Sequence, residues 1–339
     1  MSTQTPATQL KEEEIRPQAL MAEQRRRFAN DIARLLKSKA SFVQVPCPAC
    51  GGERRAPAWV KYELSYVTCL ECQTIYINPR PPPAVLEDYY RNSENYAYWN
   101  DVIFPASETA RREKLFKPRA QRLVELCRRH GITGGSLLEV GAGFGTFGEE
   151  VKRLGFFTRF IAVEPTPHLA ATCRGRGLEV LESPIEQVAL PEASVDVIAS
   201  FEVVEHLFSP KDILQKAHRL LRPGGVMIVS VPSSGGFDVM LLKDKSSSVD
   251  VEHLNYFNPA SLARLFESCG FKTLEVLTPG KLDAELVRTQ VLSGAFSVAA
   301  DPFLQTVLVD RWDELGAAFQ EFLAQNKLSS HLWLVAQKR

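Results

Sequence analysis

The segment Glu139-Val-Gly141-Ala-Gly143-Phe-Gly145 sits between a short apolar strand, 136–140, and an amphipathic helix, 147–154. Glycines between a strand and a helix let the backbone turn sharply and pass close to a ligand, where a side chain would block it. The rhythm repeats downstream. Strands are expected at 159–163, near 178–181, at 195–200 and at 226–231, with helices between them. One helix runs to Arg222, and Pro223-Gly224-Gly225 turns the chain into the next strand. Two closing strands, 271–277 and 331–336, bracket a mostly helical insertion at about 284–326. Strands alternating with helices imply a largely parallel sheet covered on both faces. The fold class read from this pattern is α/β, a doubly wound, Rossmann-like sheet of seven strands spanning 136–339.

The chain before this domain has a different texture. Residues 1 to about 18 are polar and read as disordered. A helix over 19–38 carries Leu20, Met21, Phe28, Ile32, Leu35 and Leu36 at helical spacing. Together these form a tail-and-helix region, 1–42. A turn-rich unit follows at 43–79, closed by the stiff segment Asn78-Pro-Arg-Pro-Pro-Pro83. Residues 80–135 read as a helical lid or linker. They hold an aromatic stretch (Tyr89, Tyr90, Tyr96, Tyr98, Trp99) and a helix from about 108 to 130 stopped by Gly131.

The turn-rich unit contains Cys47-Pro-Ala-Cys50 and Cys69-Leu-Glu-Cys72. Each C-x2-C pair can aim two thiolates at one ion, and four thiolates suit zinc. With all four positions filled by Cys47, Cys50, Cys69 and Cys72, no place is left for water, so the expected zinc is structural. The unit is a small N-terminal zinc ribbon on this reading. Disulfides or free thiols are the alternative. Cys127, Cys173 and Cys269 have no partner at metal spacing and read as small buried apolar residues.

Lysine plus arginine equals aspartate plus glutamate at 40 each. Net neutrality gives no support to a nucleic-acid partner. No apolar run has membrane-spanning length and the N-terminus lacks a signal-peptide layout, so a cytoplasmic location without a membrane partner is expected. Oligomeric state is left open.

Several motifs then occur in a fixed order: the glycine turn, Ala-Val-Glu164-Pro165, Phe201-Glu-Val-Val-Glu-His206, and Leu221-Arg-Pro-Gly-Gly-Val226. Over roughly 118–280, with the strand near 331–337 completing it, the chain resembles the class I S-adenosylmethionine (SAM)-dependent methyltransferases. A dinucleotide site would favour Gly-x-Gly-x-x-Gly, and the third glycine here comes one residue early. The resemblance implies that Glu139, Gly141, Ala142, Gly143 and Phe144 lie against SAM. It implies that Glu164, beside Pro165, holds the ribose, that Ile185 and Glu186 flank adenine, and that Phe201 and Glu202 border the methyl group.

Two His-containing clusters are candidates for the chemistry. One is Glu202-Val-Val-Glu205-His206. The other is Asp250-Val-Glu252-His253-Leu-Asn-Tyr256-Phe257. In one reading His253 or His206 is a general base, oriented by Glu252 or Tyr256. This is similar to the Glu-His-x-x-Tyr-Phe segment of deoxysugar C-methyltransferases, which also carry an N-terminal zinc-binding cysteine unit but have a larger C-terminal domain. In a second, Glu202, Glu205, His206 and His253 hold a divalent ion, as the pattern of ubiquinone and small-RNA O-methyltransferases suggests. In a third, His206 packs under the cofactor and His253 anchors its loop. His130, His168, His218 and His331 call for no functional account. The expected function is methyl transfer to carbon or oxygen of a small polar acceptor, a nucleotide sugar or glycan precursor. The alternatives are a zinc-ribbon RNA methyltransferase, a metal-assisted O-methyltransferase of a quinone-like molecule, and a degenerate SAM-binding scaffold.

Overall fold

The computed structural model describes residues 10–339. The expectation of disorder over 1–18 lies outside the described residues for 1–9. For 10–18 it is corrected: Leu10 and Ile15 are buried, and a short helix spans Glu12–Ile15. These two apolar side chains give the segment something to pack, which the polar run around them conceals.

The strands in chain order are β1 (Arg55–Lys61), β2 (Leu64–Cys69), β3 (Ile75–Ile77), β4 (Ser136–Val140), β5 (Arg159–Val163), β6 (Glu179–Leu181), β7 (Val195–Phe201), β8 (Leu221–Pro232), β9 (Asn255–Tyr256), β10 (Phe271–Leu277) and β11 (His331–Lys338). Seven of them form the main sheet in the order β10-β11-β8-β7-β4-β5-β6. β11 runs antiparallel to both neighbours, and β8, β7, β4, β5 and β6 are parallel. The doubly wound α/β sheet is thus present. The helix before β8 ends at Leu220, two residues earlier than expected. The β7–β8 register then jumps from Val195↔Leu221 to Val197↔Val226, so Pro223-Gly224-Gly225 makes an irregularity within β8 rather than a turn before it.

The sheet is buried on both faces, as helical crossovers require. On β4, Leu138 faces a core shared with the helices Pro210–Leu220 and Pro259–Ser268. Its neighbour Leu137 faces the opposite core, built with Lys117–Arg129, Thr146–Arg153 and Pro167–Gly175. Truncating either leucine to alanine would cost about 2–5 kcal/mol.

Successive strands leave β4 in opposite directions, to β5 on one side and β7 on the other. The crevice at the carboxyl ends of β4 and β7 is where ligands bind in open α/β sheets. The glycine turn and Glu202 both open there.

The cysteine unit is fastened to this body. Its antiparallel sheet has the order β1-β2-β3-β9, and β9 comes from the loop that follows β8. Cys47, Ala49, Cys69 and Tyr76 belong to the same apolar core as Leu138 and Phe266. Asn258 donates to the Cys72 carbonyl at 2.9 Å.

Candidate active site

Gly141, Gly143 and Gly145 all have positive φ, at 77°, 55° and 72°, a region costly to residues with a Cβ. A Cβ on Gly141 would stand 2.6 Å from Val203, and one on Gly145 would stand 2.8 Å from Leu178. On Gly143 it would meet nothing within 4 Å, so that glycine faces open space. The amides of Gly141 and Ala142 donate to the Val163 carbonyl, which clamps the turn to β5. Glu164 is buried and accepts from the amides of Gly143 and Thr166, at 2.8 and 2.9 Å. Burial pushes its carboxyl up, and these two amides oppose the shift. Glu139 is also buried, and its Oε2 has no hydrogen-bond partner. Burial holds its carboxyl well above the usual range, against the pull of Arg119. An orphaned carboxylate oxygen and an open glycine at one strand end suit a ligand that brings hydrogen-bond donors and passes close to the backbone.

Phe201 ends β7 and packs between Phe147 and Trp333, with the Arg119 guanidinium 4.8 Å from its ring centre. Glu202 has φ 56° and points into the cleft. Burial there pushes its carboxyl up, but His331, Arg119 and a hydrogen bond from Ser230 outweigh it and hold Glu202 below the usual range. Ile185 is buried, while Glu186 and Pro165 are exposed. Phe144 meets Phe104 of the helix Phe104–Arg111, ring centres 4.9 Å apart.

The second half of the site surrounds the loop 246–257. Asp250 Oδ1 accepts from the amides of Glu252 and His253, both at 2.9 Å, and bends the loop. His253 Nδ1 donates to the Ser248 carbonyl at 2.9 Å, with Asp250 Oδ2 at 3.6 Å. His206 Nδ1 donates to the Glu252 carbonyl at 3.0 Å, with the Tyr90 hydroxyl at 3.2 Å as a second partner. Both rings therefore keep a free lone pair on Nε2. The two rings are 4.8 Å apart. Burial first, and then His253, lowers His206 to about 3, so it stays neutral at pH 7. Glu205 is fully buried and neither carboxylate oxygen has a hydrogen-bond partner, though Oε1 stands 3.8 Å from His206 Nε2. Burial, reinforced by Glu202, drives that carboxyl well above the usual range. Glu205, His206 and His253 offer ligand atoms within 4.8 Å of one another.

The aromatic segment closes over this loop. Tyr89 donates to Glu252 Oε1 at 2.8 Å, and Asn95 approaches the same oxygen at 3.5 Å. Tyr90 is in edge contact with Tyr89, Tyr96 and His206. Buried Asp31 fixes the segment to the helix Gln18–Leu36 by accepting from Ser93 Oγ and the amides of Glu94 and Asn95.

Several expectations meet a different geometry. Tyr256 does not face the cleft. It is fully buried in β9, and its hydroxyl accepts from the Asp250 amide and donates to the Ser248 carbonyl, holding the His253 loop. Tyr98 and Trp99 turn away from the loop, toward Arg27 and toward Phe104 with Arg111. His331 does have a place in the site: its Nδ1 lies 3.4 Å from Glu202, and its Nε2 accepts from Trp333. Arg119 and His331 were the residues that sequence patterns missed. They sit on a helix and on β11, inside the sheet between β10 and β8 and far from any motif, and only the sheet order brings them to Glu202. A cleft of 340 Å³ is lined by Arg119, Glu202, Ser248, Asp250, His253 and His331 among others.

Among the cysteines, Sγ of Cys47 and Cys72 are 3.5 Å apart, and those of Cys50 and Cys69 3.6 Å. All four sulfurs lie within 4.8 Å of one another. A tetrahedron of sulfurs at the ~2.3 Å zinc–sulfur distance has edges of about 3.8 Å. The amides of Gly52 and Glu71 point at Cys50 and Cys69 Sγ, both at 3.4 Å. The hydrogen bond from Cys47 holds Cys72 down at about 4, and the same contact together with burial pushes Cys47 far up. Four thiolates cannot share this volume without a cation.

Residues 109–276 match the family described as methyltransferase domain. The chain is 27% identical over 236 residues to the C-methyltransferase NovU of Streptomyces niveus, covering 67% of this chain and 51% of that relative. It is 30% identical over 150 residues to a protein of Mycolicibacterium smegmatis named a probable S-adenosylmethionine-dependent methyltransferase, covering 44% of this chain and 56% of the relative. It is 40% identical over 107 residues to a ubiquinone biosynthesis O-methyltransferase of Caulobacter sp. (strain K31), covering 30% of this chain and 42% of the relative. The chain thus spans about half the length of the curated relatives it matches. Together with the glycine turn at the switch point of a seven-stranded doubly wound sheet, these matches identify residues 109–276 as an S-adenosylmethionine-dependent methyltransferase domain.

Proposed function

We propose that this protein transfers a methyl group to a carbon or oxygen of a small polar acceptor, a nucleotide sugar or glycan precursor. The observation that carries the reading is the position of Glu202: it follows the end of β7 and precedes Val203, which lies against Gly141 of the glycine turn, and it lines the cleft that contains His253. SAM, when bound, supplies an electrophilic methyl on a sulfonium. The residues suited to hold it are Gly141, Ala142, Gly143 and Phe144 in the turn and Glu164 with Pro165 after β5. Ile185 and Glu186 would lie toward the base, and Phe201 and Glu202 toward the methyl. Glu139 offers its unpartnered oxygen. Arg119, which has no ion pair among the described residues, is suited to the cofactor's carboxylate.

His253 is the favoured base. Its Nδ1 proton is committed to the Ser248 carbonyl, so an acceptor proton would go to Nε2, and the nearby Asp250 carboxylate would stabilise the imidazolium. Glu252 and Tyr256 act through the loop they hold. His206 lies beneath. The four cysteines are proposed to hold one structural zinc, which the near-tetrahedral sulfur spacing supports.

One observation favours a second reading. Glu205 is buried with no hydrogen bond to either oxygen, beside two free imidazole lone pairs. A divalent ion there would polarise an acceptor hydroxyl, as in a metal-assisted O-methyltransferase of a quinone-like molecule. Calorimetry decides the core claim: S-adenosylhomocysteine should bind and NAD should not, and the reverse would sink it. Release of S-adenosylhomocysteine in an acceptor screen, with and without magnesium or manganese after chelation, separates the two readings. Retention on RNA at physiological salt would move the acceptor to nucleic acid.

A further inference from the structure

The cleft extends beyond His253 and Glu202 to a wall formed by the helix Lys117–Arg129 and the turn after β10. Its acidic lining residues are Glu202, Asp250 and Asp283, and each is already engaged. Glu202 accepts from Ser230 and faces His331. Asp250 caps two loop amides. Asp283 accepts from Ser329, Ser330 and Gln320. Among the cationic lining residues, Arg16 pairs with Glu12 and Lys114 with Glu14. Arg122 and Lys281 have neither a hydrogen bond nor an ion pair among the described residues. The Arg122 guanidinium lies over the Trp333 ring, 5.8 Å from its centre, with its donors unused. Burial lowers the pKa of both groups, and the charge of Arg122 lowers Lys281 further. Both groups line the same cleft, the charge of Arg122 bears on Lys281, and an oxyanion between them would relieve that repulsion and give the unused Arg122 donors an acceptor.

We propose that Arg122 and Lys281 form a subsite for a phosphate group carried by the methyl acceptor. A guanidinium fork and a mobile ammonium together match a doubly charged, many-oxygen anion better than a single carboxylate. The assignment of this anion to the acceptor rests on the methyltransferase reading, with Arg119 and the glycine turn serving the cofactor. Nothing in the motif set singles out either residue: one lies on a lid helix, the other on a turn before the helical insertion.

The test is calorimetry on the full chain saturated with S-adenosylhomocysteine, with inorganic pyrophosphate as the probe and malonate as the carboxylate control. Pyrophosphate should bind more tightly than malonate. Arg122→Gln and Lys281→Met should each weaken it about tenfold, the scale of one charge-assisted hydrogen bond, and leave S-adenosylhomocysteine affinity unchanged. Lys281 is exposed, so its substitution leaves the fold intact even if Arg122→Gln perturbs packing on Trp333. Absence of pyrophosphate binding, equal binding of malonate, or weaker S-adenosylhomocysteine binding in the Lys281 variant would each overturn the proposal. If S-adenosylhomocysteine itself fails to bind while pyrophosphate binds and responds to both variants, the anion subsite stands and the methyltransferase reading falls.

Discussion

The turn at 141–145 follows the end of β4, the loop at 246–257 lines the cleft together with Glu202, and the two are held in place differently. The turn is fixed by its own backbone. Three left-handed glycines, two amides on the Val163 carbonyl and one carboxylate, Glu164, account for its shape. The Val163 and Glu164 contacts come from the next strand and its end, and Cys173 Sγ adds a bond to the Gly143 carbonyl at 3.1 Å. The loop has no such autonomy. Asp250 and Tyr256 bend it from within, but its position depends on β3 of the cysteine unit through β9, on Tyr89 of the lid, and on His206 after β7. Its supports are spread from Lys61, whose ammonium donates to the Ser246 and Val249 carbonyls, and Tyr66, whose hydroxyl donates to the Asp250 carbonyl, to Tyr256. The proposed cofactor side is thus a local device and the proposed acceptor side an assembled one. Disturbing the periphery should therefore reach the acceptor side first.

Chelating the zinc proposed for the cysteines should give the largest effect. A structural zinc in such a unit is worth on the order of 10 kcal/mol of folding free energy, and here the unit shares a sheet with β9. After chelation, amide hydrogen exchange should accelerate across 43–79 and 246–257 and stay slow at 137–140. Equal acceleration in β4 would erase the distinction between the two sides. Gly141→Val is the converse experiment. The new Cβ would press on Val203 at 2.6 Å from a backbone unsuited to it, a strain of about 1–3 kcal/mol for the backbone alone. S-adenosylhomocysteine affinity should fall about 100-fold, while exchange in 246–257 stays unchanged.

Glu164→Gln should act on the same side with a smaller effect. The carboxylate accepts from two amides at once, and a side-chain amide must turn its NH2 toward one of them. One unsatisfied buried group costs about 1–3 kcal/mol, so S-adenosylhomocysteine binding should weaken about tenfold. Full retention would mean that Glu164 only shapes the turn.

The same contrast explains what the sequence revealed. The alternation of strands with helices and the glycine turn between the first strand of the sheet and its helix were legible because strand period, turn chemistry and helix spacing are local signals. The two C-x2-C pairs were legible as a metal-ligand pattern, but their sequence does not say that β3 will pair with Asn255–Tyr256. Tyr256 reads as orienting a histidine base because it falls in a segment similar to the Glu-His-x-x-Tyr-Phe of the deoxysugar C-methyltransferases. In a strand of the second sheet its side chain points into the core between Tyr66 and the loop backbone instead. Leu10 and Ile15 lie in a run whose average polarity suggests disorder, and only tertiary packing gives them a partner. Arg119, Arg122 and His331 show the same limit from the other direction: charged or ionisable groups on ordinary elements come to line the cleft when β11 inserts between β8 and β10.

Tyr89→Phe should produce the smallest change and is the most discriminating test of the lid's place in this division. The substitution keeps the ring contact with Tyr90 and deletes only the hydroxyl that donates to Glu252 at 2.8 Å. Glu252 would retain the weaker approach of Asn95, so the loss should be about 1 kcal/mol. Denaturant unfolding should report that loss, and hydrogen exchange should place it in 83–98 and 246–257. S-adenosylhomocysteine affinity should not move, because no element of the glycine turn touches Tyr89. A drop in cofactor affinity comparable to that of Glu164→Gln would mean that the lid orders both sides of the cleft together. Phe104 on Phe144 would then be the contact that carries the coupling, and Phe104→Ala would be expected to reproduce the drop with the Tyr89 hydroxyl intact.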